Sequence, residues 1–239
     1  MFNDFNNQTP PAYYSQADVA RQTNAVLKRV YVRMFIGLLV SAFCALGVAS
    51  SPAAIAFIFG NSIVFWGIFI ALFAMAILIP TRMHKMQSST VLLLFIVYAA
   101  LMGVFLSSIF MVYRISAIVS TFFISAGTFG AMSVYGYFTK TDLTKVGSFL
   151  YMALFGLIIA MIVNLFLKSA AMDYVVSIIG VLIFIGLTAW DTQQVKRLAA
   201  ANLDPALADK LATMGALDLY LDFINLFLFL LRIFGGNRD

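Results

Sequence analysis

The chain contains no glutamate; all ten of its acidic residues are aspartates. It has one histidine, one cysteine and five prolines in 239 residues. Charged side chains make up only 10% of it, against roughly 25% in a soluble domain. Each shortage excludes something. The one cysteine, Cys44, lies in an apolar run, so there is no disulfide framework, and a small buried hydrophobe is the reading of it. The lone His84 sits in a basic loop and leaves little material for a Ser–His or histidine–metal site. No glycine-rich loop with a lysine is available to cradle a nucleotide. The net charge of +5 is no nucleic-acid signal, because the basic residues flank apolar runs, as membrane topology demands.

What is present is hydrocarbon. Hydrophobic residues make up 63% of the chain, and its mean hydropathy is +0.98. A polytopic membrane protein follows, all-α and a single domain. Residues 1–24, polar and with Pro10-Pro11, read as a flexible cytoplasmic tail, and 25–239 as the transmembrane domain. The first apolar run comes too late and is too long for a signal peptide.

Seven spans can be counted. The first is Met34 to Ala49, after Lys28, Arg29 and Arg33. Residues 50–62 read as a loop on the bilayer surface. Spans two and three are Ile63 to Ile79, stopping at Pro80, and Val91 to Val112. Span four, Ile115 to Phe138, is rich in small residues, and Ala126/Gly130 and Gly127/Ala131 are spaced for close helix packing. Span five is Gly147 to Leu167, and span six is Tyr174 to Trp190. A polar linker, Leu198 to Lys210, leads to span seven, Met214 to Phe234.

Span seven carries Asp218 and Asp222, four apart and therefore on one helical face. Gly215 begins that face, Asn225 continues it, and Phe229 and Arg232 finish it. A carboxylate at mid-membrane costs about 2.5–3.5 kcal/mol on insertion scales. The stripe must therefore turn inward, which makes span seven a central helix with the other six around it.

With the N-terminus in the cytoplasm, eleven of the fifteen basic residues fall on the cytoplasmic side and four on the far side. The carboxylates also allow a re-entrant seventh segment, which would return the C-terminus to the cytoplasm. In the seven-span arrangement Asp191, Asp218, Asp222 and Arg82 all fall in the cytoplasmic half and are able to meet.

Asp191 ends span six, where the helix dipole disfavours an anion; Lys196 and Arg197 nearby are the plain explanation. The sharper one is a proton shared with a span-seven carboxylate, since two carboxylates close together in low dielectric do not both ionise cheaply. Such a pair makes a pH sensor or cation site, for which Asp191, Asp218, Asp222 and Asn225 are the candidates. Interhelical glue is the alternative role. Asp218 is near the helix start, where a structural role suffices; Asp222 is deeper. Arg82 is an interfacial anchor or a movable counter-ion. Two membrane aspartates on successive helices also suggest an intramembrane aspartyl protease. Such enzymes carry a glycine–aspartate motif on the second helix, whereas here the contexts are ALDL and YLDF, so no enzyme is expected.

The segments TAWDTQQVKR and ALDLYLDFINLFLFLLRIFG, with YAALMGVFLSSIF and TFFISAGTFGAMSVYGYFTKTDL before them, resemble the Bax inhibitor 1 family in its bacterial branch. The resemblance runs from about residue 28 to the end. It implies seven helices with the last surrounded by six, and a pH-sensitive calcium leak gated by aspartates on helices six and seven. Carried onto this chain, these are Asp191 of WDTQ and Asp222 of YLDF, with calcium as the ion they would meet and Arg82 as the gating arginine of helix two. Some bacterial members are linked instead to a membrane-bound AAA protease, as substrates or modulators. Partners expected from the whole reading are therefore the lipid bilayer, protons, calcium and such a protease. The expected location is the bacterial inner membrane.

Overall fold

The computed structural model describes residues 16–201 and 204–235, and the regular elements among them are all helices. They are α1 (Gln16–Ala49), α2 (Pro52–Gly60), α3 (Ser62–Arg82), α4 (Ser88–Leu106), α5 (Ile109–Val112), α6 (Ile115–Phe138), α7 (Thr144–Leu167), α8 (Ala170–Ala200) and α9 (Pro205–Phe234), with one 3₁₀ turn, Met83–Lys85, after α3. Seven stretches are long and apolar enough to cross a membrane: α1, α3, α4 with α5, α6, α7, α8 and α9. The expected all-α, seven-span class is what the chain forms.

Hydrophobicity does not separate inside from outside here, because lipid is as apolar as leucine. The inward stripes are instead marked by small and polar residues at helical spacing. On α1 the buried line is Val26, Val30, Met34, Ser41 and Ala45. On α6 it is Ile118, Thr121, Ser125, Phe129, Ser133 and Gly136. Large apolar residues such as Phe35, Phe123, Phe155 and Leu182 point outward, which is where a bilayer would meet them.

Helix α9 is the most buried span, with 78% of its central window enclosed, against 33% or less for every other. It packs on α8, α1, α6 and α4. The covering ring is narrower than the expected six: α3 packs on α4 and α2, and α7 on α8. Four neighbours suffice to cover α9.

Several boundaries move. Residues 16–24 of the expected tail are the opening turns of α1, and residues 1–15 lie outside the described residues. The expected surface loop at 50–62 is mostly the short helix α2, because Ser51 caps it and Pro52 fits its first turn. Span two runs two residues past Pro80 to Arg82. Span three is interrupted at Ser107–Ser108 before the single turn of α5. The expected polar linker is largely helical as well. The helix α8 continues to Ala200, and α9 starts at Pro205, where the Asp204 carboxylate caps the amides of Ala206 and Leu207.

Candidate functional site

The carboxylates are positioned by the antiparallel packing of α8 on α9. At one end of the seam a Cβ on Gly215 would lie 2.6 Å from Val195 Cγ2. At the other a Cβ on Gly180 would lie 2.7 Å from the Phe229 ring, and Phe229 stacks on Phe184 with ring centroids 5.9 Å apart. The face of α9 that begins at Gly215 and ends at Arg232 therefore looks at α8. Arg232 reaches Asp173 at 3.7 Å.

Between these ends Asp191 meets Asp222. Their carboxyl groups are within hydrogen-bonding reach of each other. Asp191 is 6% and Asp222 4% exposed, and Asp222 Oδ2 has no hydrogen-bond partner among the described residues. Two ionised carboxylates cannot rest in contact at such depth, so the arrangement is that of a pair holding a proton. Asp218, one turn earlier on α9, shares with Asp191 a cavity of about 60 Å³, also lined by Val26, Gln194, Leu211 and Met214. A buried water needs about 10–15 Å³ of such space, so the cavity has room for a few waters beside the pair.

Among the described residues no cation neutralises these groups. None of the ion pairs among the described residues includes Asp191, Asp218 or Asp222. Lys196 and Arg197, the plain explanation for Asp191, are engaged elsewhere. The Lys196 ammonium donates to the Tyr137 carbonyl at 2.6 Å and sits over that ring. Arg197 donates to Asp142 and to the Thr144 hydroxyl. Nor does Asp191 end its helix: α8 runs nine residues further, so the C-terminal dipole is not what it faces. Arg82 is exposed at the end of α3, a helix that packs on α4 and α2, and the structure does not bring it to the pair. Asn225 donates to the Leu221 carbonyl within α9, and it is absent from the cavity lining.

The donor set bears on calcium. Among the described residues no three histidine, cysteine or acidic side chains converge to hold a metal ion. Calcium takes six to eight oxygens, so two or three aspartates would have to be supplemented by water and backbone carbonyls. That suits an ion in passage better than a resident one.

Two neighbours of the pair escaped sequence reasoning. Trp190 lies over the backbone of Gly147, where a Cβ would come within 2.3 Å of its Nε1, and it meets Tyr151 edge-on at 5.4 Å. Tyr151 of α7 lies within electrostatic range of all three aspartates. Nothing in the spacing of these aromatics distinguishes them from the many that face lipid.

The chain matches the family described as "Inhibitor of apoptosis-promoting Bax1" over residues 23–239. It is 46% identical over 214 residues to the inner membrane protein YbhL of Escherichia coli, covering 89% of this chain and 92% of that one. A protein of Borreliella burgdorferi is 46% identical over 217 residues, covering 90% and 94% of the two chains. One of Caulobacter vibrioides is 36% identical over 249, covering 99% and 100%. With the family matched from the first span through the aspartate-bearing last one, the chain belongs to the Bax inhibitor 1 family.

Proposed function

We propose that this protein is a proton-gated cation leak, with calcium as the ion and the Asp191–Asp222 pair as the gate. The observation that carries the reading is the contact of two buried carboxyl groups with no cation among the described residues to pair them, beside a small cavity that Asp191 and Asp218 line. Ionised, the two carboxylates hold a divalent cation tightly. Protonated, they hold it weakly, and conduction requires a site that an ion is able to leave. Only the different proton affinity of the closed and conducting states couples pH to flux. The groups facing the pair are Asp218 on α9 and Tyr151 on α7; the nearby cations of α1 and α8, Arg33 and Lys196, are committed to other partners. Arg82 has no part in this gate.

The setting of the proposal is a bacterial inner membrane, with the basic end of the bundle in the cytoplasm. The inner-membrane relative and the distribution of lysine and arginine support that placement. The protein acts as a transporter and not as an enzyme.

The test is calcium flux into liposomes holding the purified chain, across about pH 5 to 8, with Asp191→Asn and Asp222→Asn beside it. Flux is expected to rise on acidification and to lose its pH dependence in both variants. Unchanged pH dependence in both would remove the gate. Absence of flux above empty liposomes would favour the other role, a membrane partner of an AAA protease contacted through residues 1–24. Deleting those residues would then abolish protease dependence.

A further inference from the structure

A second cavity begins beside Phe223, the neighbour of Asp222 in the chain, and lies on the side of the pair away from the basic end. It has a volume of about 380 Å³ and an almost wholly apolar lining. Its walls are α1 from Leu38 to Leu46 and α6 from Ile115 to Phe123, Leu106, Ile109 and Phe110 of α4 and α5 close one end, and Phe223 and Phe227 of α9 form the floor. The cause is a splay of two helices. Tyr137 of α6 donates to Asn24 of α1 at 3.2 Å near the basic end. Away from that bond the two helices each pack on α9 without packing closely on each other. On its other side α1 is in close contact with α4, since a Cβ on Gly103 would lie 2.3 Å from the Ser41 carbonyl oxygen. The gap therefore opens between α1 and α6 and ends against Leu106 and α5.

We propose that this cleft holds one acyl chain of a membrane phospholipid. Three features select that occupant. First, the chemistry is hydrocarbon: Ser41 is the polar side chain in the lining, and its hydroxyl is already bonded to the Gly37 and Ala99 carbonyls and to the Tyr220 hydroxyl. An apolar cavity of about 150 Å³ stays dry and takes up benzene, and this one is more than twice as large. Second, the length is that of one leaflet. Ile115 to Phe123 rises about 12 Å along α6, close to half of a hydrocarbon core of about 30 Å. Third, the mouth is cationic. Exposed Arg114 stands at the N-cap position of α6 without a side-chain capping bond, directly before the lining residue Ile115, and a positive charge at a helix start suits a phosphate there.

The test uses the full chain in nanodiscs with a phospholipid that carries a photoreactive diazirine in its tail. Labelling is expected to concentrate on residues 38–46 and 115–123. Labelling spread evenly over the lipid-facing surfaces of α3 and α7 would overturn the proposal, as would crosslinks between two copies through Ala42 or Val119. Native mass spectrometry supplies the second reading. The wild type is expected to retain phospholipid through detergent exchange, and Ala42→Phe and Val119→Phe, from opposite walls, to reduce retention about tenfold. Val163→Phe, on the lipid face of α7, is expected to keep it. Equal retention in all four proteins would overturn the assignment. Neither outcome depends on whether the carboxylates conduct calcium.

Discussion

The two ends of α9 are held by different physics. At the basic end the fastening is polar. Arg33 grips Asp209 and Thr213, Arg29 adds a longer contact to Asp209, and Gln193, Lys196 and Arg197 tie the end of α8 to the α6–α7 connection. At the far end it is a matter of shape. Phe223 and Phe227 meet Phe122 edge-on, Phe223 also meets Phe129, and Phe229 stacks on Phe184. Helix association inside a bilayer has no hydrophobic drive, so close packing and interhelical hydrogen bonds are what remain. The chain uses mainly the second where water is near and mainly the first where it is not. The carboxylate pair stands where one regime gives way to the other. It is surrounded by neither enough cations to neutralise it nor enough aromatics to dispense with it.

The comparison breaks most easily where two of the helices around α9 approach backbone to backbone, as α4 and α1 do at Gly103 and Ser41. A Cβ on Gly103 would lie 2.3 Å from the Ser41 carbonyl oxygen and 2.7 Å from its Cα. Backbone cannot step aside as a side-chain tip does. Gly103→Val is expected to cost about 3 kcal/mol or more, seen as a collapse of the unfolding midpoint in detergent. Gly127 has nothing within 4 Å of its would-be Cβ, and Gly127→Val is expected to change stability by about 0.5 kcal/mol or less. Equal stability of the two variants would mean that the α1–α4 seam is not held by close contact.

The basic end should fail more gradually. The Arg33 side chain is 15% exposed and donates to the Asp209 carboxylate at 2.5 Å, to the Asp209 carbonyl at 2.6 Å and to Thr213 at 2.7 Å. Arg33→Ala is expected to lower stability by about 2 kcal/mol, the range for hydrogen bonds to charged groups. Arg33→Lys should recover only part of it, since a single ammonium does not reproduce the fork. Thermal unfolding of the three proteins checks both statements. Full recovery by lysine would reduce the contact to charge alone.

How much of this was legible depended on which signal was strong. Spans announce themselves as apolar runs, and the inward face of α9 followed from two aspartates four apart. The ends of the helices were less visible, because hydropathy falls at the membrane surface while helix continues through it. Thus the WDTQQVKR segment read as a helix end, although Gln193, Lys196 and Arg197 extend α8 by bonding the α6–α7 connection. The caps at Ser51-Pro52 and Asp204-Pro205 were written in the sequence in the form that begins a helix. The composition around them overrode that signal. Arg82 reads as a partner for the aspartates on topology alone, since a shared depth does not reveal which helices are neighbours. The cleft had no sequence signal, because a lipid-facing phenylalanine and a cleft-lining one are the same residue.

The smallest effect expected concerns the outermost fastening, where the polar regime meets water. Asp142 accepts from the Thr144 hydroxyl at 2.6 Å, from the Thr144 amide at 2.9 Å and from Arg197 at 2.5 Å. The Thr144 hydroxyl bond first, then its amide and Arg197, hold this carboxyl well below the ordinary carboxylate range. A group depressed in the folded state binds fewer protons there than in the unfolded chain. Its contribution is therefore complete above about pH 4 and is lost as the pH falls toward the folded value. The Asp142 side chain is 67% exposed, so solvent screens the interaction and salt weakens it further. Asp142→Asn is expected to lower the unfolding midpoint by about 1 °C at neutral pH, with the difference shrinking below about pH 4 and in high salt. If the difference grew on acidification, the sign would be wrong, and the carboxyl would be acting as a hydrogen-bond donor to its neighbours instead of an acceptor from them.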